Sequence, residues 1–222
     1  MMQKGRILAL ATVLLLSACA SGDGNTYYQL PYKASNTVAT LASIEAGATA
    51  SGAGGVADVQ GGAATPFHAG SPGVRPKLWV AQVSVADFLV GNGLVYQTND
   101  VQYTTARSNL WASPLEQQLQ QTLVANLSAA LPGTLVSTQP IGSGDDNDQL
   151  LVTLTGFHGR YDGRAIVQGV WLLTHDGRVI RQPFDLALPQ EKDGYDALVR
   201  TLAQGWDTVG QQVEKKFIAI CK

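Results

Sequence analysis

The sequence has few of the residues that form catalytic or metal sites: only two cysteines and three histidines occur among its 222 residues. It contains neither the Gly-x-Ser-x-Gly motif of α/β-hydrolases nor the Walker A motif of ATPases, so hydrolysis by either route has no support. No two histidines or cysteines have the spacing of a zinc-ligand pair. We therefore expect a protein that is not an enzyme and that holds no cofactor and no metal.

A surplus of positive charge is also lacking. Lys and Arg number 15 against 17 Asp and Glu, which gives a formal net charge of −2. Proteins that bind nucleic acid without sequence preference neutralise its phosphates with a basic surface. We therefore expect no nucleic-acid partner.

An apolar run at residues 7–16 is too short to cross a bilayer, because a helical span takes about 20 residues. Lys4 and Arg6 precede this run, and small residues follow it. A charged start, a short apolar run and small residues together indicate a signal peptide, which we place at residues 1–18.

The end of this segment resembles the bacterial lipobox at all four positions, Leu16-Ser17-Ala18-Cys19. The resemblance implies cleavage before Cys19, whose thiol then carries a diacylglycerol, as in a palmitate-bearing lipoprotein. Several acyl chains on one residue hold a protein on a membrane far longer than one chain does. Ala20 stands where inner-membrane lipoproteins typically carry Asp, which implies a lipid anchor on the periplasmic face of the outer membrane.

Lipidation of Cys19 would leave Cys221 without a partner in the chain. A packed or frayed free thiol is the simplest interpretation of Cys221, while an intermolecular disulfide and a metal role stay open.

An acidic segment at Asp145, Asp146 and Asp148 could suggest calcium binding. It lacks the glycine and the bidentate glutamate of an EF-hand loop. We therefore expect a solvated acidic turn.

The chain divides by composition into four segments. They are a signal peptide at 1–18, a lipidated N-terminus with a first strand at 19–33, a Gly/Ala-rich insertion at 34–76 and an α+β domain at 77–222. The insertion has only three charged residues and no apolar periodicity. Such a segment buries too little surface to offset its ordering entropy, so we expect disorder, with a gating or partner-binding loop as the alternative.

Alternating apolar residues predict the strands of the α+β domain. Two pairs of strands flank turn residues, at Asn99-Asp100 and at Asp176-Gly177, and each pair is expected to form a hairpin. The predicted strands cover residues 78–85, 94–97, 101–105, 134–138, 150–155, 165–174 and 179–188.

A first amphipathic helix is predicted where leucines recur at every fourth residue from Leu115 to Leu131. Ser113-Pro114-Leu115-Glu116 predicts a capping box at its start, and Pro132-Gly133 ends it. Gln118 falls on the opposite, polar face.

A second amphipathic helix is predicted from about Gly194 to Ile218. Two such helices and their hairpins predict an α+β domain of two layers, a mostly antiparallel sheet with both helices on one face.

Trp111 lies directly before the first helix. The sequence supports a position in the core and a position at an interface equally for this tryptophan. Trp206 has the spacing of the buried helix face, and Trp79 and Trp171 lie in predicted strands. An exposed tryptophan is a common anchor at protein interfaces, so Trp111 is our candidate partner-binding residue.

Three stretches in order after a lipobox resemble the PqiC-type lipoproteins. They are Tyr27-Tyr28-Gln29-Leu30-Pro31, Asn109-Leu110-Trp111-Ala112-Ser113-Pro114-Leu115 and the final amphipathic segment Tyr195–Phe217. The resemblance covers residues 19–33 and 77–219, and its motifs contain no catalytic residue. The insertion at 34–76 is longer than the usual connection in that family.

The resemblance implies a non-enzymatic auxiliary subunit of an MCE-type ABC transport system, which moves lipids between membranes and supports envelope integrity. The implied partner is a periplasmic MCE-domain protein. Copies held on one membrane by a short tether have a high effective concentration, so we also expect a homo-oligomer. The alternative function is a lipoprotein that binds a lipid or lipopolysaccharide in its own cavity, as a carrier or assembly factor.

Overall fold

Every strand and helix predicted from apolar periodicity has a counterpart in the structure, although some of the bounds differ. This computed structural model describes residues 24–31, 75–142 and 147–221. The elements are β1 (Thr26–Tyr28), β2 (Lys77–Val85), a 3-10 turn (Asp87–Leu89), β3 (Gly93–Gln97), β4 (Tyr103–Trp111), α1 (Leu115–Ala130), β5 (Leu135–Ser137), β6 (Asp148–Arg160), β7 (Arg164–His175), β8 (Arg178–Pro189) and α2 (Tyr195–Ile220). Cys19, most of the predicted insertion, Asp145 and Asp146 lie outside the described residues.

β6 is the central strand of the eight-stranded sheet. One of its edges pairs antiparallel with β7 along the whole strand, and β7 pairs antiparallel with β8. Its other edge is shared, because β2 runs parallel to its first half and β3 pairs with its last two residues. β4 pairs antiparallel with β3 and parallel with β1, and β5 pairs parallel with β2. The longest pairings are antiparallel, which confirms the predicted α+β class.

Both predicted hairpins form. Asp176 and Gly177 connect β7 to β8 with φ values of 47° and 73°, the left-handed backbone that a two-residue hairpin turn requires. β3 and β4 form the other hairpin, but β4 begins at Tyr103 rather than at residue 101 and continues to Trp111. β6 likewise extends beyond the predicted 150–155, because Gly156 and the residues after it keep pairing with β7.

The two helices pack on the sheet and on each other. The leucines of α1 from Leu115 to Leu131 are buried, as is the apolar face of α2. A Cβ at Gly205 would lie 2.6 Å from Val167 Cγ2, so α2 approaches β7 as closely as glycine permits. The next residue, Trp206, donates from Nε1 to the Leu119 carbonyl at 3.0 Å and thereby joins the helices. These contacts confirm the two-layer arrangement.

The start of α1 differs from the predicted capping box. The helix begins at Leu115 after an extended Pro114, and no side chain caps it. Gln118 instead donates from Nε2 to the Ser113 carbonyl at 2.8 Å. The capping-box prediction is therefore wrong, and so is the placement of Gln118 on the polar face, since its side chain is only 3% exposed.

Trp111 lies in the core, which decides between the two environments that the sequence left open. Its side chain is 4% exposed, and its ring centroid lies 6.1 Å from that of Phe157 on β6. Almost none of this indole is therefore accessible at the surface formed by the described residues. A contribution of Trp111 to partner binding stays a prediction that the structure does not test.

Replacing Trp111 with Ala is expected to lower the free energy of unfolding by roughly 3–5 kcal/mol, because it opens a cavity between β4 and β6. Trp111→Phe keeps most of the buried surface and should cost clearly less. Chemical denaturation of both variants measures the difference. An alanine variant with the wild-type midpoint would show that the indole does not pack as described.

Candidate functional site

The segment that follows the candidate lipidation site is attached to the sheet by β1. Thr26 pairs with Asn109 and Tyr28 with Trp111 in parallel register. The Ala112 N–H donates to the Tyr28 carbonyl at 2.7 Å, and the Tyr28 hydroxyl donates to Asn109 Oδ1 at 3.1 Å. We call residues 26–30 together with residues 109–118 the N-terminal clamp.

Gln118 completes this clamp from inside the protein. Its Oε1 accepts a hydrogen bond from the N–H of buried Leu30 at 2.9 Å, while its Nε2 donates to the Ser113 carbonyl at 2.8 Å. Buried backbone groups need such partners, because an unmade hydrogen bond there costs the full desolvation of the group. One amide side chain therefore fixes both the end of the N-terminal segment and the entry into α1.

Tyr28 also connects the clamp to the start of α2. Its ring centroid lies 6.3 Å from that of Tyr195. Desolvation, followed by the charge of Asp196 and by Tyr195, raises the pKa of the Tyr28 hydroxyl. The hydroxyl therefore keeps its proton at neutral pH and remains a hydrogen-bond donor to Asn109.

A second candidate surface is a pair of exposed aromatic rings, Phe88 and Tyr103, which we call the aromatic patch. Their centroids are 4.8 Å apart, and the two residues are 39% and 43% exposed. Sequence reasoning missed them, because Phe88 lies in a short 3-10 turn and Tyr103 at a strand end, where no periodicity marks a shared surface. Exposed rings in mutual contact suit the binding of an apolar partner surface.

His158 forms the floor of the aromatic patch. It is 3% exposed, and its ring meets Tyr103 edge-on at a centroid distance of 5.1 Å. Burial lowers the pKa of His158, with a smaller lowering from the charge of Arg160, so the imidazole is neutral near pH 7. Its Nδ1 lies 2.9 Å from the Gly159 carbonyl. A neutral ring among aromatic rings supports packing here, not proton transfer.

A cleft between α1 and α2 has a volume of about 380 Å³. Its lining includes the charged side chains Asp207, Glu214 and Lys215, and Asp207 accepts a hydrogen bond from Asn126 at 3.3 Å. Ligand pockets for apolar molecules are lined mainly by apolar side chains. This cleft is therefore poorly suited to an acyl chain.

Across the described ranges, none of the helices is both long enough and apolar enough to cross a membrane.

Gln118→Leu is expected to lower the free energy of unfolding by about 1–3 kcal/mol, because it leaves the Leu30 N–H and the Ser113 carbonyl without partners. Hydrogen exchange at the Leu30 amide should accelerate more than exchange in β7. Exposed Gln121 on the same helix gives the matched control, and Gln121→Leu should leave both quantities near wild type. Equal effects of the two substitutions would contradict the assigned role.

Comparisons with known proteins identify the family of the chain. The family model described as "ABC-type transport auxiliary lipoprotein component" matches residues 60–214. The chain is 45% identical over 213 residues to the "Intermembrane transport lipoprotein PqiC" of Escherichia coli K12, covering 94% of this chain and 97% of that protein. The protein of the same name from Shigella flexneri matches equally.

Two solved structures share the fold. One is a crystal structure of an uncharacterized protein, with 45% identity, a TM-score of 0.67 and coverage of 87% of this chain and 99% of the other. A protein from Xanthomonas campestris has 19% identity and a TM-score of 0.51, with coverage of 63% and 84%, and it supports the fold alone. On the family match and the identity to its relatives, the chain belongs to the family of ABC-type transport auxiliary lipoprotein components.

Proposed function

We propose that this chain is a non-enzymatic lipoprotein subunit of an MCE-type ABC system that transports lipids between membranes. It is anchored through Cys19 to the periplasmic face of the outer membrane and supports envelope integrity. The observation that carries the proposal is the N-terminal clamp. It joins the tether to the sheet through the two stretches, around Tyr28 and around Trp111, on which the resemblance to PqiC-type lipoproteins rests.

The clamp fixes how far the folded part can lie from the membrane. The chain from Cys19 to Thr26 spans at most about 25 Å when fully extended. Because Thr26 is already paired with Asn109 of β4, the tether ends there. An acylated Cys19 therefore keeps the β1 edge of the sheet beside the bilayer. Copies tethered so closely share one surface, and this proximity supports self-association as part of the proposal.

The aromatic patch is the surface that we propose for the MCE-domain partner. It lies at the opposite end of β4 from the clamp, since the six residues from Tyr103 to Asn109 span about 20 Å of strand. With the clamp beside the membrane, this end of β4 remains free for a periplasmic protein. The exposed rings of Phe88 and Tyr103 supply the aromatic contacts that dominate many protein interfaces.

The cleft between the helices does not favour the alternative function, a carrier that encloses a lipid in its own cavity. The cleft between the helices carries acidic and basic side chains, including Asp207 and Lys215. Burying an acyl chain against charged groups would desolvate those groups without compensation.

Lipidation at Cys19 is tested by metabolic labelling with a fatty-acid probe. The wild-type chain should be labelled and should fractionate with the outer membrane, because its anchor is covalent. Cys19→Ala should lose both properties, while Cys221→Ala, which removes the other cysteine, should keep them. Label that persists in Cys19→Ala would refute an anchor at this residue.

The docking surface is tested by co-purification with the periplasmic MCE-domain protein from envelope extracts. The double variant Phe88→Ser, Tyr103→Ser should lower the apparent affinity at least tenfold, since loss of one aromatic anchor alone commonly has that effect. The matched control is Val179→Ser, because Val179 is also exposed but lies at the start of β8, at the other end of the sheet from the aromatic patch; this variant should bind normally.

Two results would contradict parts of this proposal. Normal binding by the double variant, with its melting temperature unchanged, would move the docking surface elsewhere. Failure of the wild-type protein to retain any MCE-domain protein would reject the transport role and favour the lipid-carrier alternative.

A further inference from the structure

Three potential metal ligands from distant parts of the chain converge at the end of the sheet where β6 begins. Asp148 is the first residue of β6, His175 is the last residue of β7, and Cys221 follows the final residue of α2. One ligand atom of each lies within 4.8 Å of the others. The closest pair is His175 Nδ1 and Asp148 Oδ1, at 2.8 Å.

The charges around this cluster favour a cation. Asp148 and His175 are only 13% and 26% exposed, so their charges are incompletely screened by solvent. Asp176 contributes a second carboxylate, whose Oδ2 lies 3.4 Å from His175 Nε2. Burial first, and then the charges of Asp148 and Asp176, raise the pKa of the Cys221 thiol. Two carboxylates, Asp148 and Asp176, thus lie beside His175, and their position favours a bound cation.

The same features argue against a cysteine nucleophile activated by histidine. An activated thiol needs a lowered pKa and a neighbouring base, whereas the pKa of Cys221 is raised. Both ring nitrogens of His175 already face carboxylates, Nδ1 towards Asp148 and Nε2 towards Asp176. Neither nitrogen is therefore positioned as a base for the thiol.

We propose that Asp148, His175 and Cys221 form a binding site for a zinc ion. Carboxylate oxygen, imidazole nitrogen and thiolate sulfur are the three ligand types that proteins offer to Zn²⁺. At zinc–ligand distances of about 2.0–2.3 Å, tetrahedral ligands lie about 3.3–3.8 Å apart. The three ligand atoms lie within 4.8 Å of one another, which is close to these tetrahedral separations. Side-chain movements of about 1 Å would bring all three into contact with one ion. A fourth position stays open to water or to a ligand from another protein.

The exchange of protons on binding is balanced. Zn²⁺ displaces the thiol proton of Cys221, which passes to solvent, and the sulfur then binds as thiolate. His175 binds the metal through Nδ1, so its ring proton then lies on Nε2. The Nε2–H group then donates to Asp176, an outer carboxylate of the kind that orients zinc-bound histidines.

This inference replaces the expectation of no metal site, and it does not depend on the proposed transport function. The sequence left a metal role for Cys221 open, but spacing alone does not bring the three residues together, because Asp148 and His175 are 27 positions apart and Cys221 lies beyond another whole helix. A bound ion would join the C-terminal end of α2 to β6 and to the β7–β8 hairpin.

The test uses the full-length protein, purified in detergent, stripped with a chelator and titrated with Co²⁺ or Zn²⁺ alone. We expect a cobalt–thiolate charge-transfer band that saturates at one equivalent, and displacement of Co²⁺ by Zn²⁺. Cys221→Ser should abolish the band. Cys221→Ser and Asp148→Asn should each weaken Zn²⁺ binding at least tenfold, because about tenfold is the smallest usual cost of losing even an outer-shell partner.

Asp162→Asn is the matched control, because Asp162 is a carboxylate in the turn at the other end of β6, about 40 Å away along the strand. It should bind Zn²⁺ like the wild type. Bound Zn²⁺ should also slow alkylation of Cys221 and raise the melting temperature of the wild type but not of Cys221→Ser. Absence of the thiolate band at saturating Co²⁺, or equal Zn²⁺ affinity of the wild type and Cys221→Ser, would overturn the site.

Discussion

The pairing of β6 along both of its edges is the constraint on which most of this structure depends. β7 occupies one edge throughout, and β2 and β3 divide the other between them. A strand held on both sides cannot slip, because a shift of one residue would turn every side chain to the opposite face. β6 therefore fixes two features that lie about 33 Å apart along the strand: Asp148 of the proposed zinc site and His158 beneath the aromatic patch.

The helices were largely predictable from the sequence, because burial against one sheet imposes a simple period on their apolar residues. Leu119 and Trp206 lie in the core as their spacing indicates. Gln118 was not predictable in this way. Its burial is stable because two backbone groups, the Leu30 N–H and the Ser113 carbonyl, bond its amide. One of those groups belongs to a segment that is remote in sequence, and periodicity contains no information about such a partner.

Strand positions were predicted better than strand lengths. β4 and β6 both extend beyond their apolar alternation because a neighbouring strand supplies the hydrogen bonds. The stretch from Asn109 to Trp111 is a strand because β1 and β3 pair with it. The same reason explains why the aromatic patch and the proposed zinc site were missed. Each is assembled from residues of different elements, so only the sheet topology places them together.

The long helix α2 extends from the N-terminal clamp to the proposed zinc site. It begins at Tyr195, which contacts Tyr28 of the N-terminal clamp, and its 26 residues extend about 39 Å to Cys221. Glycine at position 205 lets it lie directly on β7, so the helix and the sheet form one packed body. This packing fixes the direction of α2 relative to the clamp. If Zn²⁺ binds at Cys221 as proposed, it would restrain the end of α2 that the clamp does not reach, and both ends of the helix would then be held to the sheet.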